Sequence, residues 1–232
     1  MLRRKPNKSY KRKIEFKTTN LVVIAVEGQK TEPRYFRMLQ EEFGSRIKLE
    51  IVLDDEHKSS PQYVLERLLQ FKAKQDLQDD DVCWMVIDVD GNAHKLPQII
   101  KNAKSNGCKV ALSNPCFEIW LSLHRGDIKI TDDFVIFYKG RQEIVKIGRD
   151  KLTARAIREA DILNKINHGV PNATLYKSLY FDHIEGAIKK SKKLIESDKA
   201  DNFLCEKEHK GKTRVGELLE EIIKKLSQNT NS

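Results

Sequence analysis

The chain has 232 residues, 39% hydrophobic and 33% charged, which is enough apolar content to bury a core. No stretch approaches the roughly 18 apolar residues that a membrane helix needs, and no apolar segment follows the basic N-terminus, so neither a membrane span nor a signal peptide is expected. Forty-three Lys and Arg against 34 Asp and Glu leave a formal net charge of +9, which favours a polyanion such as nucleic acid as partner.

The excess is concentrated at the start. Arg3, Arg4, Lys5, Lys8, Lys11, Arg12 and Lys13 all precede the first acid, Glu15. Residues 1–19 therefore read as a basic arm, suited to phosphate contacts; the same charges in a solvated tail would serve solubility alone. The four cysteines, Cys83, Cys108, Cys116 and Cys205, form no C-x-x-C pair. They read as reduced thiols of a cytoplasmic protein rather than a disulfide framework or zinc site.

Residues 20–125 alternate strand and helix. The run Leu21 to Val26 is continuously apolar, as in a strand buried on both faces. A helix follows, with Thr31 as cap, Pro33 in its first turn and an apolar stripe of Tyr35, Phe36, Leu39 and Phe43. Ile47 to Leu53 alternates as a second strand. Ser60 and Pro61 open a helix with Val64, Leu65, Leu68 and Leu69 at helical spacing. Val82 to Ile87 is a third strand, Leu96 to Ser105 a helix ended by Asn106-Gly107, and Lys109 to Leu112 a short fourth strand. Asn114-Pro115 turns into a helix carrying Phe117, Trp120, Leu121 and His124. Such alternation predicts βαβ units, an α/β fold and a mostly parallel sheet flanked by helices. After Gly126 one strand is expected over Phe134 to Tyr138. The rest of 126–232 reads as mainly helical, over 153–166, 176–195 and 214–226, packing on the core as an elaboration.

Ligands of open parallel sheets bind outside the carboxyl ends of the strands, so the residues just after each apolar run carry the information. These are Glu27-Gly28-Gln29-Lys30-Thr31-Glu32, then Asp54-Asp55-Glu56, then Asp88-Val89-Asp90-Gly91-Asn92, then Ser113-Asn114 with Glu118 beyond. Crowded carboxylates repel and raise one another's pKa, and a cation removes that penalty. Oxygen ligands of this kind suit Mg²⁺ or Mn²⁺, which serves phosphoryl transfer or phosphodiester hydrolysis. Acids after strands also act as helix caps or solvated loop residues, and Asp54, Asp55 and Glu56 are read that way. The sequence has no G-x-x-x-x-G-K-[ST] loop and no G-x-G-x-x-G after the first strand, which argues against ATP hydrolysis and dinucleotide binding.

Glu27-Gly28 after the first strand and Asp88-x-Asp90 after a later one resemble the Toprim domain of topoisomerases, primases and overcoming-lysogenization-defect nucleases. The strings EGQKTEPRYF, VIDVDGN, ALSNPCFEIWLSLH and, more weakly, TRVGELLEEI resemble the RloB family, found within restriction–modification loci. That resemblance covers nearly the whole chain. It implies a Rossmann-like Toprim core in which Glu27 is a general acid/base and Asp88 and Asp90 hold Mg²⁺. It further implies a metal-dependent nuclease of antiviral defence, with RNA such as tRNA or DNA as substrate, and with a partner ATPase or restriction–modification subunits. Where family members often carry more acids, Gly91-Asn92 follows Asp90 here, and whether one or two metal ions bind stays open. So do the oligomeric state and the activating trigger.

Glu27, besides its acid/base role, and Glu118 are candidate further metal ligands beside Asp88 and Asp90. Lys30, Glu32, Asn114 and His124 are candidates for lining the site toward phosphate, though His124 also reads as a core histidine and Lys30 and Glu32 as partners of neighbouring charges. Lys189, Lys190, Lys192 and Lys193 form a basic cluster, read as a solvated surface or a substrate face. Two rivals remain. VIDVDGN also looks like the motif of haloacid-dehalogenase phosphatases, with Asp88 as nucleophile. That motif normally opens the first strand and continues in threonine, where this chain has Asn92. The other rival is a catalytically silent nucleic-acid-binding or assembly subunit.

Overall fold

A computed structural model describes residues 21–53, 60–89, 93–131, 133–139, 143–148, 151, 173–196 and 211–229. The basic arm, the 54–56 acids, Asp90 with Gly91-Asn92, and the helix expected over 153–166 lie outside the described residues.

Strand β1 (Leu21–Val26) is buried at every position. Its side chains alternate between two cores, as the period of two requires. Val22, Ile24 and Val26 enter one, and Leu21, Val23 and Ala25 the other. Helix α1 (Thr31–Phe43) covers the first face with Tyr35, Phe36 and Leu39, each worth roughly 1.5–3 kcal/mol once buried. Helices α2 (Pro61–Lys74) and α3 (Leu96–Ser105) cover the second with Val64, Leu65, Leu68, Leu96, Ile99 and Ala103.

β2 (Lys48–Val52) and β3 (Val82–Asp88) flank β1, both parallel to it, and β4 (Cys108–Asn114) lies parallel beyond β3. A two-residue strand β8 (Lys212–Thr213) adds antiparallel to β4, giving the order β2-β1-β3-β4-β8. The chain thus leaves β1 toward one edge and returns to the other side of it. The turnover point lies between β1 and β3, where the carboxyl ends of a doubly wound sheet open a crevice. This is a mixed α/β fold with a mostly parallel sheet.

Helix α4 (Glu118–Arg125) follows β4. Beyond it the chain departs from the helical expectation. β5 (Ile128–Ile130), β6 (Phe134–Lys139) and β7 (Glu143–Gly148) form a separate antiparallel sheet in that order. Val135, Phe137 and Ile147 are buried in the same core as α1. The helix expected over 176–195 is two, α5 (Ala173–Leu179) and α6 (Ile184–Glu196), separated by a 3-10 turn at Phe181–His183. The break leaves both Tyr176 and Tyr180 buried. α7 (Val215–Asn229) packs against α6 and β4. No helix among the described residues is long and apolar enough to cross a membrane.

Candidate functional site

Glu27 leaves β1 still bound to the sheet, its N–H donating to the Val86 carbonyl at 3.1 Å. Its side chain then crosses the same gap. Oε2 accepts the backbone N–H of Asp88 at 3.0 Å. A carboxylate therefore sits at the turnover point, fixed against the last residue of β3.

Gly28 follows, closely covered by the Glu32 side chain. A Cβ there would collide with the carboxylate of Glu32. That carboxylate turns back from the first turn of α1, and its Oε1 accepts the Gly28 N–H at 3.1 Å. Thr31 is the first helical residue rather than the cap. The cap position is Lys30, which makes no side-chain cap bond. Glu32 instead satisfies a backbone donor of the entering loop, as the acid of a capping box does. It is only 7% exposed.

Asp88 ends β3. The next residue is held by Val89 N–H to Ser113 carbonyl at 2.9 Å, which brings the β4–α4 turn alongside. Burial drives the Asp88 carboxyl well above the usual range. Repulsion from Glu32, Glu27 and Glu118 adds to this, and the Phe117 backbone N–H opposes it. Burial likewise pushes Glu32 up to about 7, against its own and the Gly28 backbone N–H groups and with help from Glu118. Glu118, half-buried at the start of α4, thus faces both acids. Cys116 lies against the same charges; burial pushes its thiol up, and Glu118 and Asp88 reinforce the shift.

The structure therefore brings Glu27, Glu32, Asp88 and Glu118 together. As a donor set, hard carboxylate oxygens in mutual repulsion match a divalent cation in kind. Among the described residues, no group of three or more His, Cys, Asp or Glu is arranged to hold a metal ion. Asp90 lies outside those residues.

The remaining candidates separate. Lys30 is exposed beside the site. Asn114 is buried at the end of β4, in register with Lys212. His124 is not brought to the acids. It is buried among Tyr35, Trp120 and Tyr180, with Nδ1 against the Trp120 carbonyl at 2.9 Å and Nε2 against the Tyr35 hydroxyl at 3.4 Å. Burial holds its imidazole down at about 3, so it is neutral and structural. The lysine cluster is partly structural as well. Lys190 caps α4 through the Leu123 and Gly126 carbonyls, and Lys192 bonds Glu220 at 2.6 Å.

Sequence reasoning missed the 212–213 pair. Buried Lys212 stands beside Asn114 at the sheet rim, and the Thr213 hydroxyl bonds that of Ser113 at 2.9 Å. A two-residue strand has no periodicity by which to find it.

No curated protein and no solved structure matches the chain. The RloB-like protein family matches residues 22–222, and the chain belongs to that family.

Proposed function

We propose that the chain is a Toprim-type, metal-dependent nuclease that hydrolyses phosphodiester bonds of nucleic acid in antiviral defence linked to restriction–modification. The observation that carries this reading is the Glu27 carboxylate bonded to the Asp88 backbone at the turnover point of the sheet, with Glu32 and Glu118 facing Asp88. Acids packed this closely stay protonated or gather a cation.

In this reading Asp88 and Asp90 hold Mg²⁺ or Mn²⁺, with Glu118 as a further ligand. The ion would polarise the phosphorus–oxygen bond and favour an attacking hydroxide. Glu27 takes the proton from the attacking water or returns it to the leaving oxygen. Gly28 keeps the backbone low at the site, and Glu32 holds the loop that carries Glu27.

The test is cleavage of a panel of tRNA, other RNA, and single- and double-stranded DNA by the purified chain with Mg²⁺, Mn²⁺ or EDTA. Cleavage that needs the metal and vanishes in Glu27→Gln and Asp88→Asn is expected. Turnover of small phosphate esters indifferent to Glu27→Gln would replace this reading with the phosphatase. Binding without cleavage under every metal would replace it with a silent binding subunit.

A further inference from the structure

A rim of acids offers the phosphates of a nucleic acid no attraction of its own until a cation is bound. The remedy lies on the helix that leaves the site. Arg34 and Arg37 lie three apart on one face of α1, and Lys30, at the cap position, stands one turn ahead, its carbonyl accepting the Arg34 N–H at 3.1 Å. All three are exposed, whereas Glu32, Pro33, Tyr35 and Phe36 between them are buried. The face begins beside Gly28 and Glu32 and runs away from them for roughly 10 Å. Its sign changes only at Glu41, a turn beyond Arg37.

Several other cations of the fold have internal work. Lys109 bonds Glu221, Lys190 bonds Asp127, Lys192 bonds Glu220 and Arg214 bonds Glu217. Among the described residues, the side chains of Lys30, Arg34 and Arg37 make no hydrogen bond or ion pair. Like charges a helical turn apart destabilise the helix by a few tenths of a kcal/mol per pair. Folding gains nothing from the arrangement. An external row of phosphates gains three contacts.

We propose that Lys30, Arg34 and Arg37 form the track along which a nucleic-acid backbone lies as it reaches the acid site. What happens at that site rests on the nuclease reading above; the track itself needs no catalysis.

The experiment measures binding of the full chain to fluorescein-labelled RNA and DNA oligonucleotides by anisotropy in EDTA, across a salt series. The variant Lys30→Gln/Arg34→Gln/Arg37→Gln is compared with wild type. A control removes the same charge from exposed lysines elsewhere, Lys74→Gln/Lys101→Gln/Lys104→Gln. The track variant should bind about tenfold or more weakly, and its slope of log K against log salt should be shallower by about 2–3. The control should bind nearly as wild type does. Equal weakening in both variants, an unaffected track variant, or a wild type that binds neither oligonucleotide would each overturn the inference. Stripe-dependent binding without cleavage under any metal would remove the nuclease reading and leave the track. Metal-dependent cleavage with an unaltered KM in the track variant would do the reverse.

Discussion

The Glu27 carboxylate accepts the backbone N–H of Asp88 at 3.0 Å, joining two residues 61 positions apart. One bond thus fixes the proposed proton-transfer group against the proposed metal ligand. Gln at position 27 keeps an oxygen that can accept this bond and removes the charge and the titrating proton. Glu27→Gln should therefore melt close to wild type while cleavage falls by about 10²- to 10⁴-fold. Glu27→Ala should lose activity and about 1 kcal/mol of stability as well, because it strands the Asp88 N–H. Thermal melts and initial rates on both variants decide the point, and an active Glu27→Gln enzyme would remove Glu27 from the chemistry.

Glu32 gives a pH signature that needs no assay of activity. Its folded pKa of about 7 stands above the ordinary 4.5. Between those values the unfolded chain is ionised while the folded one keeps its proton. The group's contribution is therefore intact below about pH 4.5 and is lost as pH rises through 7. In metal-free protein, Glu32→Gln should melt higher than wild type at pH 8 by an amount on the order of 3 kcal/mol at most. The two should converge near pH 4.5. Added Mg²⁺ should narrow the gap at pH 8 by stabilising the wild type. A Glu32→Gln variant less stable than wild type at pH 8 without metal would contradict the burial argument.

Gly28 is required only while the Glu32 carboxylate lies across it. Gly28→Ala should expel that carboxylate, free the Gly28 N–H and destabilise by about 1–2 kcal/mol. In a Glu32→Ala background the same substitution should be nearly neutral. A double-mutant cycle by urea denaturation measures the coupling, and additive effects would show that the contact does not set the choice of glycine.

His124 titrates in the opposite sense. It is held at about 3, below the ordinary 6.5, so the unfolded state gains its proton first. Stability from this residue is full above pH 6.5 and is lost as pH falls toward 3. His124→Gln should flatten the acid limb of the stability curve over that window. Its cleavage rate per folded molecule at pH 8 should be unchanged, since His124 touches none of the four acids. A large fall in kcat at full folding would restore it to the site.

Much of this was legible in the chain because the signals are local. Leu21 to Val26 and Val82 to Ile87 announce themselves as apolar runs, and their ends locate Glu27 and Asp88. The end of α3 follows from Asn106-Gly107. The gaps are non-local. β5 has three residues and β8 two, and pairing across the fold decides their conformation rather than propensity. Glu32 and His124 are both polar residues on amphipathic helices, and spacing alone does not say which faces the acids. The contact with Gly28 and the aromatic ring cluster decide it. The lysines of α6 read as one patch, yet two are turned to carbonyls and a glutamate.

α1 is held at two points near the start of its buried face. Glu32 grips the loop at the acids, and one turn on Tyr35 stands edge-on to Tyr176 and Tyr180 of the C-terminal part, with centroids 5.8 and 6.1 Å away. Close-packed rings transmit displacement because they cannot compress. Glu32 and the ring contacts to the C-terminal part therefore sit one turn apart on a single helix. Slower hydrogen exchange along α1 when a partner or substrate seats on α5, and faster exchange in Tyr176→Ala, would register that linkage. One aromatic cluster thus ties the helix that carries Glu32 to the helix that carries Tyr176.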